Sequence, residues 1–240
     1  MDKSFSHYKW TNGFIDALSL EFPALLSSWE RYLFLHDNSD PKKTDTHYVY
    51  VYDGDAVLFW GKNFYPMPKG AYACVPGTGY LAAGKGIVIT KQDYNGMFSI
   101  GGPAEHEGRL KYIDGCTDSL LIPPVMLGDP CLNLLYFPPN IDQTMHTHPS
   151  DRIGIIMSGK GKCVAVNNDV EESIDLIPGM LFCIHANGKH KFQTPYGEDL
   201  RVLAFHPDSD YGPTHQFHPM LNRTIVDGIS AKDLPYIQTK

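Results

Sequence analysis

From His47 to Pro207 the chain is a succession of short apolar runs cut by turn residues. HYVYVYDGDAVLFWG, AYACVPGTGYL and GKGIVIT come first. After a turn-rich stretch at 101–118 come LLIPPVML, CLNLLYFPP, RIGIIMSG, GKCVAVNN, SIDLIPG, MLFCIHANG, HKFQT and LRVLAFHP. Runs of this length at this spacing predict the strands of an all-β barrel or sandwich. Asp53-Gly54 predicts a hairpin turn. In residues 12–35 the apolar positions fall at mixed spacing around Pro23, and Ala24 to Leu35 reads as a short amphipathic helix. Residues 37–46 are polar and loop-like.

Two blocks of the pattern recur. YVYVYDGDAV overlays IGIIMSGKGK with Gly54 on Gly159. KGAYACVPGTGYL overlays PGMLFCIHANGKH with Gly70 on Gly179, Cys74 on Cys183 and Gly79 on Gly188. The offsets are 105 and 109 residues, so a four-residue difference in one loop reconciles them. A repeat of this kind predicts two copies of one β unit.

Composition narrows the function classes. Of the 240 residues, 42% are hydrophobic and 20% charged, as in ordinary globular proteins. A net charge of −7 without a basic run argues against nucleic acid or an anionic membrane as partner. No apolar stretch is long enough to span a bilayer, and MDKSFSHYKW lacks the apolar segment of a signal peptide. The five scattered cysteines form no CxxC pair, which suits a reducing, cytoplasmic setting.

The chemistry concentrates in MHTHPSDRIGIIMSG. His146 and His148, at i and i+2 on an extended segment, point to the same side and can bind one metal ion together. This stretch resembles the first motif of the cupin family, in which a glycine, five residues, His-x-His, three or four residues, a glutamate, six residues and a glycine follow in order. Here Asn140 takes the first glycine position, Arg152 the glutamate position and Gly159 the last. The second cupin motif matches at Gly179 and His190, with His185, Asn187 and Thr194 in place of its proline, glycine and asparagine.

The resemblance implies two antiparallel barrels of the double-stranded β-helix, or jelly-roll, type. A degenerate N-terminal domain would span residues 1–110, and a metal-bearing C-terminal domain residues 111–240 with His146, His148 and His190 as ligands. In the N-terminal copy Pro41, Lys43 and Leu81 fall on the three ligand positions, so no metal is expected there. His47 falls on the Arg152 position and reads as a surface histidine. Cupins commonly form dimers, so a homodimer is expected, with YVYVY as its interface or as the seam between domains.

Three neutral imidazoles leave the charge of a divalent ion uncompensated, and Arg152 adds another positive charge. Such a site calls for a small anionic organic substrate that chelates the metal. Alternatively Arg152 turns away and pairs with Asp151, Glu198 or Asp199. By resemblance the leading expectation is an Fe(II) dioxygenase, although Zn, Ni, Mn and Cu also accept imidazole. A non-redox isomerase, lyase or hydrolase is the second expectation. It would use His185 or His206 as a general base. A non-catalytic binding module is the third. His215 and His218, among the turn residues of PDSDYGPTHQFHPML, mark a segment that either covers the barrel mouth or is exposed.

Overall fold

The apolar runs form strands almost throughout, distributed over two large sheets and a three-stranded one, with a separate two-stranded ribbon at Ile225–Val226 and Ile229–Ser230. The structure, a computed structural model, describes residues 3–18 and 21–237. In chain order the strands are β1 (Phe5–Tyr8), β2 (Gly13–Leu18), β3 (Ala24–Leu35), β4 (Thr46–Trp60), β5 (Asn63–Met67), β6 (Tyr72–Pro76), β7 (Gly79–Lys91), β8 (Ser99–Gly101) and β9 (Leu110–Lys111). They continue with β10 (Thr117–Ile122), β11 (Cys131–Phe137), β12 (Arg152–Gly159), β13 (Gly161–Asn167), β14 (Val170–Leu176), β15 (Leu181–Ile184), β16 (His190–Gln193) and β17 (Leu200–His206). The first large sheet has the order β2-β3-β7-β4-β6-β8, with β5 beside β4. The second has the order β1-β15-β12-β17-β11-β10-β9, and β14-β13-β16 forms the small sheet. All these pairings are antiparallel. The N-terminal strand β1 lies on the edge of the second large sheet, against β15.

The segment expected as a helix is the strand β3. It pairs with β2 on one side and β7 on the other. Its register shifts between Glu30 and Tyr32, where Arg31 takes a positive φ of 82°. Leu26 faces the second large sheet, whereas Trp29, Leu33 and Leu35 face the interior of the N-terminal half. Burial of both faces before Glu30, followed by exposed Tyr32 and Phe34, gives the mixed spacing that resembled a helical period.

The repeat is visible in individual hydrogen bonds. Val51 N–H donates to Ala71 O (2.9 Å), Gly70 N–H to Val51 O (2.8 Å) and Ala71 N–H to Pro68 O (2.9 Å). At the offsets read from the sequence, Ile156 N–H donates to Met180 O (2.9 Å), Gly179 N–H to Ile156 O (2.8 Å) and Met180 N–H to Ile177 O (3.0 Å). Gly70 and Gly179 both have φ of 84°, a left-handed conformation that favours glycine. Tyr48 sits opposite Cys74 as Ile153 sits opposite Cys183.

Three apolar layers result. The seam between the large sheets takes Tyr48, Ile87 and Ile89 from one side and Ile153, Leu203 and Phe205 from the other. Tyr48 and Phe205 approach to 4.7 Å between ring centroids. The tyrosines of YVYVY therefore cover a seam within the chain. Each fully buried aliphatic side chain there contributes about 1.5–3 kcal/mol. Inside the N-terminal half, Trp29, Val49, Val51, Leu58, Met67 and Leu81 pack against one another. Trp29 Nε1–H donates to Ala83 O at 3.0 Å. The third layer, around Phe137, Phe182 and Phe192, fills the C-terminal half between the second large sheet and the small one.

His47 is not a surface histidine. It is 2% exposed, its Nδ1 lies 2.8 Å from Thr90 Oγ1, and burial pushes its pKa down to about 4. It sits inside the paired region between β6 and β7.

Trp29 fits only because residue 86 is glycine. A Cβ there would stand 2.1 Å from the indole and 2.1 Å from Tyr50 O. Gly86→Ala should therefore destabilise the fold by about 1–3 kcal/mol, the usual cost of overpacking. Urea unfolding measures it, and an unchanged midpoint would contradict this packing.

Candidate metal centre

His146 lies on no regular strand. Its segment is tied to β16 by two isolated bridges, Asp142–Gln193 and His146–His190; in the second, His146 N–H donates to His190 O and His190 N–H to His146 O, both at 3.0 Å. That exchange sets the two imidazoles side by side, 4.5 Å between ring centroids. His148 completes the triangle at 5.0 Å from His146 and 5.1 Å from His190. Its carbonyl accepts from Asn187 N–H at 2.7 Å. Asn140 and Asn187, the two asparagines at motif glycine positions, have φ of 65° and 59°. Asparagine tolerates that left-handed conformation, so the turns survive both replacements.

One ring nitrogen from each of the three histidines lies within 4.8 Å of the others. His146 Nδ1–H can donate to Thr144 O (2.7 Å) and His190 Nδ1–H to Gly188 O (2.9 Å). This leaves Nε2 of each with a lone pair toward the cluster, and such carbonyl contacts orient metal-ligating histidines. Burial, helped by the nearby Arg152 charge, pushes His148 down to about 3. Burial pushes His190 down to about 4. Neutral imidazoles with free lone pairs suit a divalent ion, and three ligands leave coordination positions open.

A cavity of about 50 Å³ adjoins the cluster. Phe137, Phe182 and Phe192 wall it with apolar surface, and Tyr112, Asp118, Arg152 and His206 bring polar groups into it. Strand alternation places them: Val202, Ala204 and His206 of β17 face the cavity, while Leu203 and Phe205 face the seam.

Arg152 takes none of the three carboxylate partners considered from the sequence. Glu198 binds Lys160 at 2.9 Å, Asp199 is 3.6 Å from His106, and Asp151 Oδ1 accepts from Ala186 N–H. Its Nη1 donates instead to Ser150 O (3.0 Å), Ser150 Oγ (2.8 Å) and Asp151 O (3.0 Å). Ser150 Oγ–H in turn donates to Asp208. The Arg152 Nε–H is buried and has no partner among the described residues. Burial lowers the pKa of this guanidinium, and Asp208 opposes the shift. Burial, reinforced by the Arg152 charge, holds His206 well below the usual histidine range.

His185 does not reach the cavity. Phe182 and Ile184 of β15 face inward, whereas Cys183 packs in the seam. His185 sits with Cys183, its Nε2 2.7 Å from Ser6 Oγ and its Nδ1 3.8 Å from Cys183 Sγ. The segment with His215 and His218 contributes nothing to the cavity lining. His218 Nδ1 accepts from Met220 and Leu221 N–H and caps a short helix, Pro219–Arg223. Asp118, by contrast, was not singled out in the sequence. Burial raises its pKa, and Asn133, which donates to both carboxylate oxygens (3.0 and 2.9 Å), opposes the shift. It follows the turn-rich stretch outside both motifs, and only its inward position on β10 marks it.

No family model matches the chain, and no curated protein matches it. Solved structures do. A cupin 2 conserved barrel domain protein from Leptotrichia buccalis is 13% identical over 84% of this chain and 86% of its own, with a TM-score of 0.54. The fold is the cupin jelly-roll barrel. Two more structures with this fold are a putative glyoxylate-induced protein from Pseudomonas aeruginosa and a salicylate 1,2-dioxygenase from Pseudaminobacter salicylatoxidans. The first is 14% identical over 88% of this chain and 82% of its own, TM-score 0.60. The second is 11% identical over 76% and 70%, TM-score 0.53. The cupin neighbours thus include a dioxygenase, at identities that speak for the fold alone. Among the described residues no helix is long and apolar enough to cross a membrane.

The buried histidines make the metal-free protein acid-sensitive. In the unfolded chain each takes up a proton near pH 6.5; folded, His190 and His47 do so only near 4 and His148 near 3. Between those values the unfolded state binds more protons, so stability falls as pH is lowered from about 6.5 toward 4. Urea midpoints with chelator present should drop steadily from pH 7 to pH 5. A flat profile would show that these side chains are protonated alike in both states.

Proposed function

We propose that this protein is a metal-dependent cupin enzyme, an Fe(II) dioxygenase of a small anionic organic substrate. The observation that carries the reading is the juxtaposition of three converging imidazoles with a buried Arg152 that makes no direct ion pair among the described residues, at one cavity. His146, His148 and His190 would hold the ion, and Fe(II) bound there would supply dioxygen activation. The Nε–H of Arg152, without a partner among the described residues, would bind a substrate carboxylate, adding to the partial compensation of the guanidinium by Asp208. Ser150 and Asp208 would keep the guanidinium oriented. The phenyl walls would exclude water, which strengthens every charge interaction inside. His206, held neutral, would accept a proton from bound substrate. The cavity's size favours a compact acid. In this reading strands β2 to β8 form a structural barrel, its interior occupied by Trp29 and its neighbours, while β1 belongs to the C-terminal sheet.

Asp118 favours a second reading, a lyase or isomerase in which the ion acts as a Lewis acid. A carboxyl group whose pKa is raised by burial at the cavity can move protons there. Oxygen uptake with a panel of carboxylates separates the two. Consumption of dioxygen supports the first, and turnover without it the second.

Metal content tests the ligand set. Protein purified anaerobically should carry about one equivalent of iron at this site, lost in His190→Ala with the far-ultraviolet dichroism intact. Retention of that metal in His190→Ala would remove the proposed centre. Arg152→Ala should keep the metal and weaken binding of a small carboxylate roughly tenfold to a hundredfold, the worth of a charged hydrogen bond. Unchanged affinity in a titration would assign Arg152 to structure.

A further inference from the structure

We propose that Asp151, Cys183 and His185 form a second metal site, suited to zinc, on the opposite side of β15 from the three-histidine cluster. Cys183 and His185 are i and i+2, so they share a side. Asp151 immediately precedes the Arg152–Ile184 pair, which sets it across from His185. One ligand atom from each of the three lies within 4.8 Å of the others.

The spacing suits a tetrahedral ion. Zinc bonds of about 2.0–2.1 Å to nitrogen and about 2.3 Å to sulfur put neighbouring ligand atoms about 3.3–3.6 Å apart. Cys183 Sγ and His185 Nδ1 are already 3.8 Å apart. With Nε2–H donating to Ser6 Oγ at 2.7 Å, His185 keeps the Nδ1 lone pair for the ion, the usual support for a ligating histidine.

The carboxylate supplies an independent argument. Asp151 is 4% exposed and accepts from Ala186 N–H at 2.8 Å, yet no cationic side chain pairs with it among the described residues. Buried charges are ordinarily paired or bound to metal. A zinc ion would meet that need. Cys183 would bind as thiolate, its proton passing to solvent. Half-buried His185 opens the site to water, and solvent would fill the fourth position. Because Ser6 belongs to β1, the ion would fasten the N-terminal strand to β15 and β12.

Cobalt(II) reports on this site, since a thiolate ligand gives a charge-transfer band in the near ultraviolet that imidazoles do not. The full chain, freed of metal and loaded with cobalt, should show the band both as wild type and as His146→Ala. Cys183→Ser and His185→Gln should lose it and retain one equivalent of zinc fewer than wild type. The half-buried His185→Gln keeps the test alive if Cys183→Ser unfolds. No band in the wild type, or a band that survives both substitutions, would overturn the proposal. His146→Ala touches only the three-histidine cluster, so its metal content bears on that cluster and leaves the band to decide this site.

Discussion

Strands β12, β15 and β17 are buried on both faces, and the architecture of the site follows from that constraint. One face of each closes the seam against the N-terminal sheet, with Ile153, Leu181 and Leu203. The other lines the C-terminal barrel, with Ile156, Phe182 and Val202. A one-residue slip would exchange the two sets and carry Arg152 and His206 out of the cavity. Gly154 admits no larger residue, because a Cβ there would stand 1.8 Å from Leu203 O. The same double burial explains why RIGIIMSG and LRVLAFHP read as continuous apolar runs rather than as alternating ones.

Within that frame the site is held by backbone more than by side chains. The paired hydrogen bonds between His146 and His190 fix two rings, and the Asn187 N–H fixes the carbonyl of the third. Carbonyl oxygens at Thr144 and Gly188 turn two of the rings. Burial keeps His148 and His190 neutral, while Arg152 brings a positive charge that Asp208 offsets only through Ser150, without a direct ion pair. Isolated buried charge is costly, so a site built this way favours an anion.

The barrel strands, their repeat and the histidine triangle were legible in the sequence because each depends on short-range spacing. The Gly70 and Gly179 turns recur bond for bond at the offsets the sequence shows. What escaped the sequence depends on phase or on contacts between distant elements. Burial of both faces in its first half disguised β3 as a helix. His47 looks exposed beside polar neighbours, but β6 and β7 cover it. His185 stands at a motif position yet faces the seam side, and Asp118 enters the cavity from a strand that carries no motif.

The central claim is that three imidazoles from two segments converge on one divalent ion. Diffraction recorded at the absorption edge of the native metal tests it most directly. The account predicts an anomalous peak about 2.0–2.2 Å from Nε2 of His146, Nε2 of His190 and a ring nitrogen of His148. Metal-loaded crystals with no peak among these rings, or with the rings turned away from one another, would contradict it.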